Sequence, residues 1–265
     1  MQIMTAIDFS THRIVSRDEW LSERKALLAE EKALTRHRDE ISEKRRALPW
    51  VRIDKGYMFD APQGRRSLSD LFDGRSQLIV KHFMLAPGQL DGCVGCSFES
   101  DHVGGALMHI VHNDVSFVAV ARAPLDEIEP FRARMGWTFP FVSSFGSDFN
   151  YDFGVSFTPE DIAAGRANYN YEDIAPPLED LSGLSVFYKD KGENIFHTYS
   201  TFGRGGEEVL TSYMFLDMTP KGRNENGPNF NLTDWVRHRD RYGAAGQVLA
   251  TGRWQGEEAT ACCHR

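Results

Sequence analysis

Residues 77–96 read QLIVKHFMLAPGQLDGCVGC, and how this stretch folds decides the architecture of the chain. Gln77 to Met84 is a compact apolar run of the kind that forms a strand buried on both faces. Pro87, Gly88 and Gly92 break the run, and a C-x-x-C pair, Cys93 and Cys96, follows immediately. Beyond it Phe98, Val103, Leu107, Ile110 and Val111 recur at helical spacing, which predicts a helix through about His112. Asn113-Asp114 then turns the chain into residues 115–121, VSFVAVA, a second buried strand. Pro124 is placed to open another helix that runs through Phe131 to Met135, with Gly136 as its stop. Strand, helix, strand, helix with apolar strands is the pattern of a parallel α/β unit with right-handed crossovers.

Further along, residues 184–188 and 195–199 are β-rich runs around Lys189-Asp190-Lys191-Gly192, which predicts an antiparallel hairpin. A β-α-β-α unit followed by a hairpin, with a C-x-x-C opening the first helix, is the thioredoxin arrangement. Residues 204–217 read as helical, 233–241 as a short charged helix, and 158–182 as an irregular insertion. Upstream, residues 17–48 contain neither Gly nor Pro, and Ser16 with Glu19 forms a capping-box pattern. Trp20, Leu27, Leu34, Ile41 and Leu48 recur every seven positions, but the d-like positions between them are charged. So thin a stripe cannot hold a helix together unaided. Either the helix lies on its own domain or it forms an arm around a second subunit, which predicts a homodimer.

Composition narrows the function. The chain has 265 residues, 41% of them hydrophobic and 26% charged, which are globular proportions and exclude a disordered or collagen-like chain. A net charge of −8 argues against duplex nucleic acid and anionic membranes as partners. No apolar run approaches the roughly 20 residues of a membrane span, and the N-terminus lacks the pattern of a secretory signal. A cytoplasmic protein is the expectation, and in that reducing setting four cysteines are not expected to form a structural disulfide framework.

That setting leaves Cys93 and Cys96 as a redox or metal-binding pair. Cys93 falls where a helix begins, and its unpaired N–H groups and dipole favour a thiolate; such thiols have pKa values lowered to roughly 3.5–7.5. Cys96, one turn on, is placed to attack a mixed disulfide on Cys93. Tetrahedral zinc needs four ligands, and Cys262, Cys263 and His264 complete a set only if the tail folds back over the chain. A spectator pair in a binding or scaffold protein is the remaining reading.

The strings SLSDLFDGRSQLIVKHFM, GCVGCSFESDH, FVAVARAPL, MGWTFPFVSSFGSDFNYDFGV, FHTYSTFGRGGE, LDMTPKGRNE and WVRHRDRYG resemble a bacterial family of thioredoxin-like proteins of unknown function. Its members are commonly labelled predicted dithiol–disulfide oxidoreductases. The resemblance runs from the first helix to about Tyr242 and implies the fold and a redox role, with no substrate. Two features depart from thioredoxin itself. Gly92 stands where a Trp would precede the first cysteine, and Ser182-Gly183-Leu184 enters the hairpin where a cis-Pro would stand. Peroxiredoxins share the fold without that proline, but their P-x-x-x-T-x-x-C signature is missing here. A peroxiredoxin-like thiol peroxidase is therefore the second reaction considered.

Other residues invite a role. Arg122 follows the second buried strand, at the sheet edge where Cys93 also falls, and is a candidate to stabilise the thiolate or an anionic substrate; a surface ion pair is the alternative. His102, His109 and His112 share a predicted helix without metal-ligand spacing and read as solvated. Phe149-Asn150-Tyr151-Asp152-Phe153 is read as core packing or as the lining of a substrate pocket, and Gly203-Arg204-Gly205-Gly206 as a turn. The sequence thus predicts a helical arm at 1–49, an α/β thioredoxin-like domain at 50–215 and a C-terminal extension at 216–265. The expected activity is thiol–disulfide exchange with a disulfide-bearing protein or a small thiol substrate, Cys93 attacking and Cys96 resolving. No metal and no tightly bound cofactor is required.

Overall fold

The computed structural model describes residues 12–256 and divides into two compact units, Met1–Trp50 and Val51–Arg265. The first contains helix α1 (Arg17–Arg46). Its start is where the capping pattern predicts: Ser16 is extended, and its Oγ accepts a hydrogen bond from the Glu19 N–H at 3.2 Å. Asp18 and Glu19 in the first turn and Lys44, Arg45 and Arg46 in the last complement the helix dipole. The helix stops short of Leu48, the residue that Pro49 excludes from helical backbone. No side chain along α1 is buried, and Trp20, Leu27 and Leu34 are exposed.

In the second unit the elements run β1 (Val51–Arg52), β2 (Met58–Ala61), β3 (Gly64–Ser67), β4 (Gln77–His82), α2 (Val94–Asp101), α3 (Val103–His112), β5 (Val115–Ala121), α4 (Leu125–Met135) and β6 (Phe141–Ser143). They continue with α5 (Phe149–Asp152), α6 (Pro159–Ala164), β7 (Ala167–Tyr169), β8 (Glu172–Ile174), β9 (Gly183–Lys189), β10 (Ile195–Phe202), α7 (Thr211–Leu216), β11 (Gly246–Val248) and β12 (Trp254–Gly256). The main sheet has the order β1-β10-β9-β4-β5-β6-β2-β3. β4 and β5 are parallel, β9 is antiparallel to β4, and β10 is antiparallel to β9. With α2 following β4 and α4 following β5, this is the thioredoxin-like α/β fold that the sequence predicts, preceded by a long N-terminal helix.

Both faces of β4 are covered, which is why its sequence runs apolar without alternation. Leu78 and Val80 join Phe59, Phe72, Val118 and Phe187 on one face. Ile79 and the following Phe83 join Cys96, Phe117, Phe131 and Phe141 on the other. A third cluster brings Val236 and Val248 of the C-terminal segment onto Val94 and Phe98 of α2 and onto Tyr213. No helix among the described residues is long and apolar enough to cross a membrane.

Three local expectations change. The helix after the cysteines is two helices, parted at His102, whose ring bonds the Phe98 carbonyl at 2.6 Å and Ser212 Oγ at 2.7 Å. His102 is therefore a structural link between α2 and α7 rather than a solvated side chain, whereas His109 and His112 are exposed. Residues 233–241 hold only the end of a short 3-10 turn, 232–234. There His238, Arg239 and Arg241 each reach a different anchor, Gly92, Met135 and Asp91, and these long-range bonds hold the backbone out of a helix. The stretch 158–182 contains regular structure: Thr158 and Asp161 form a reciprocal capping box on α6, and β7 pairs with β8.

Candidate active site around Cys93

Cys93 caps the N-terminus of α2 with an extended backbone, and its carbonyl accepts from the Ser97 N–H and from Ser97 Oγ, both at 2.9 Å. Gly92 before it is required by packing. A Cβ there would stand 2.4 Å from the Phe83 ring and 2.8 Å from that of Phe131. This close approach explains why a thioredoxin-like Trp has no room at this position.

The two thiols are unequal. The Cys93 pKa is lowered, first because the Cys96 thiol donates to its sulfur; burial opposes this, and the N–H groups of Gly95 and Cys96 and the charge of Lys81 add to it. The N–H groups act without a formal capping bond, as expected where partial charges at a helix start face a large sulfur. Cys96 is buried at 2% exposure, and its pKa is pushed well above that of a free thiol. The same hydrogen bond is the leading cause, with burial and the neighbouring Cys93 charge beside it.

Beneath the pair lies an ion pair that sequence reading missed. Lys81 Nζ stands 2.5 Å from Glu99 Oε2, with side-chain exposures of 2% and 12%. Burial disfavours the Lys81 charge, but Glu99, with Cys96 and Cys93 adding to it, holds the ammonium above its ordinary pKa. The signal was available: a lysine inside an apolar strand run must find a partner, and Glu99 lies three residues after Cys96 on the same helix.

A cavity of about 10 Å³ opens beside Cys93, lined by Met84, Gln89, Leu178, Glu179, Asp180, Thr251 and Arg253. Arg122 is tied to this wall. It donates through Nε to Asp180 Oδ1 at 2.7 Å, and through its terminal nitrogens to Asp180, Glu179 and Tyr151. Ser156 Oγ also donates to Asp180, at 2.6 Å. Arg122 therefore stands beside the site as an ion-paired residue, its hydrogen bonds made to the oxygens of Asp180, Glu179 and Tyr151 rather than to sulfur. The insertion that supplies Glu179 and Asp180 gave no sign of this in the sequence.

The aromatic run divides between the core and a surface cleft. Phe149 is fully buried in the core, while Tyr151 and Phe153 line a cleft of about 550 Å³ with Tyr57, Tyr169 and His197. Phe149 and Phe153 pack on the Leu78 and Val80 face of the sheet, opposite the face that carries Cys96. Among the described residues no group of three or more His, Cys, Asp or Glu side chains converges as a metal site. Cys262, Cys263 and His264 lie outside the described residues.

A family model described as "Bacterial protein of unknown function (DUF899)" matches residues 9–242. No curated protein matches the sequence. Solved structures similar to this one include peroxidoxin BcpB from Mycobacterium tuberculosis, at 13% identity over 62% of this chain and 95% of that one, with a TM-score of 0.41. The bacterioferritin comigratory protein of Xanthomonas campestris is similar at 14% identity over 58% and 88%, with a TM-score of 0.38. A mutant of PrxQ from Xylella fastidiosa gives 15% identity over 60% and 88%, and a TM-score of 0.38.

Proposed function

We infer that this chain, which belongs to the DUF899 family of bacterial proteins, runs two-electron thiol–disulfide chemistry on Cys93 and Cys96. The observation that carries the reading is positional: Cys93 opens α2 with a recess at its sulfur, and Cys96 lies buried one turn further in. A nucleophile must be ionised near neutral pH, and a resolving thiol must stay protonated until its turn comes. Cys93 attacks; Cys96, within hydrogen-bond reach, displaces the adduct and closes the disulfide. Arg122 supports the site through Asp180 and Glu179, holding the wall beside the sulfur. A reducing compartment such as the cytoplasm suits a pair that must begin as thiols.

Alkylation tests this directly. In the reduced protein near neutral pH, Cys93 reacts with iodoacetamide ahead of Cys96, and its rate rises with a midpoint near the value of about 7 to which its pKa is lowered. Mass spectrometry of partly labelled protein gives the order. Equal, slow labelling of both sulfurs favours the scaffold reading.

For the exposed stripe along α1 the partner we propose is a second copy of the chain. Light scattering of the full-length protein is then expected at twice the chain mass. A monomer mass contradicts the dimer and leaves the redox reading untouched.

A further inference from the structure

The C-terminal segment folds back over the redox pair and narrows the approach to Cys93, which stays partly exposed, while Cys96 is buried. His238, fully buried, donates from Nε2 to the Gly92 carbonyl at 2.9 Å, and Arg241 pairs with Asp91 at 2.6 Å. Leu232 rests on Gly95, where an added Cβ would meet its methyl at 3.3 Å. Next comes a tight turn in which Gly252 donates to the Leu249 carbonyl while its own carbonyl accepts from the Val94 N–H, both at 2.9 Å. Gly252 has a φ of +77°, and a Cβ on it would stand 2.7 Å from the Cys93 sulfur. Only a glycine fits there, for its backbone angle and for its contact with sulfur alike.

Beside the sulfur lies a narrow recess open to solvent, with an interior of about 10 Å³, roughly the minimum that holds one water. Its mouth is at the surface, since Glu179 and Arg253 on its wall are about half exposed. Attack on a disulfide demands room for two sulfurs in line with the nucleophile, each carrying its own chain. Attack on a hydroperoxide demands room for one oxygen next to the sulfur and a second at the mouth.

We propose that the oxidant this site admits is hydrogen peroxide, and that the segment 249–253 acts as a strap excluding the disulfides of proteins and of glutathione. The proposal rests on the redox reading of Cys93 and Cys96 and supplies its substrate class. The Cys93 thiolate attacks one peroxide oxygen; the S–O bond forms as the O–O bond breaks, and sulfur is oxidised to a sulfenic acid. The departing hydroxide takes up a proton from solvent and leaves as water, next to the Arg253 guanidinium on the cavity wall. Cys96 then attacks the sulfenic sulfur; the S–S bond forms, the S–O bond breaks, and the hydroxide leaves with the Cys96 proton as a second water. Two thiols and one peroxide give one disulfide and two waters. A dithiol restores both thiols by two exchange steps, and because it must reach a sulfur under the strap, reduction is the half-reaction that requires opening.

The test compares oxidants on the reduced full-length protein, following formation of the Cys93–Cys96 disulfide by mass spectrometry after quenching. Hydrogen peroxide and glutathione disulfide are used at equal concentration, first on folded protein and then on protein in urea, where both sulfurs are open. The ratio of the peroxide rate to the glutathione disulfide rate is expected to be about 100-fold higher in the folded protein, the penalty of opening a strap held by several bonds and apolar contacts. Gly252→Ala cannot seat its methyl group against the sulfur without displacing the strap, so it is expected to bring the folded-state ratio down toward the urea ratio, with circular dichroism checking that the rest of the domain stays folded. A folded-state ratio no higher than the urea ratio, with the disulfide still forming, overturns the peroxide assignment and leaves the redox pair standing. Absence of the Cys93–Cys96 disulfide with either oxidant overturns both.

Discussion

Cys93→Ser is expected to abolish disulfide formation, a loss on the order of 10⁴-fold or more, the scale seen when a covalent nucleophile is removed. Cys96→Ser has a different outcome: the first step proceeds and stops, leaving on Cys93 a sulfenic acid with peroxide or a mixed disulfide with a disulfide oxidant. The asymmetry follows from position. Cys93 sits at the first N–H groups of α2, with the Lys81 charge in range and a cavity at its sulfur. Cys96 is one turn further in, at 2% exposure, with its pKa raised. Intact-mass measurement after brief oxidation separates the two cases. If Cys96→Ser were unreactive and Cys93→Ser retained the adduct, the roles would be reversed.

The second large effect is on stability. Lys81→Met leaves the Glu99 carboxylate without its partner in a site where that side chain is only 12% exposed. Breaking a buried pair from one side costs roughly 3–5 kcal/mol, and for a chain of this size Tm is expected to fall by roughly 10 °C. The double variant Lys81→Met/Glu99→Met removes both charges and is expected to recover most of that loss, because two apolar chains of similar length need no solvation. The pH dependence carries a definite sign. Folding raises the Lys81 pKa, so its contribution is complete at neutral pH and is lost as pH rises through the raised folded value. Urea unfolding of the two variants checks the prediction. A double variant as unstable as the single one would mean that the pair's geometry, and not its charge balance, is what the core requires.

The parts of this fold that could be read from sequence are those whose physics is local. β4 and β5 are apolar runs, α4 begins after Pro124 and ends at Gly136 with a φ of +67°, and the β9–β10 hairpin turns at residues rich in Asp and Gly. Each of these is specified within a dozen positions, and the C-x-x-C could be placed on the first helix because its neighbours were so clear. β6 is three residues long and pairs with β5 and β2. No periodicity develops over so short a run, and its place depends on partners from elsewhere in the chain. The site shows the same division. Cys93 and Cys96 were evident from spacing, and Lys81 was visible as a charge in a buried strand. The Gly252 contact, the Gly92–His238 bond and the Arg122–Asp180 pair join residues far apart in the chain, where only tertiary packing brings them together.

Equilibration of the reduced protein against graded ratios of reduced and oxidised glutathione, long enough for the strap to open many times, tests the central claim most directly. The fraction of protein carrying the Cys93–Cys96 disulfide, read by mass spectrometry after acid quenching, is expected to follow a single two-electron curve. It should reverse when the ratio is reversed and vanish in Cys93→Ser. A pair that stays reduced across the whole range, or that accumulates only mixed disulfides without closing the bond between the two cysteines, would contradict the redox account.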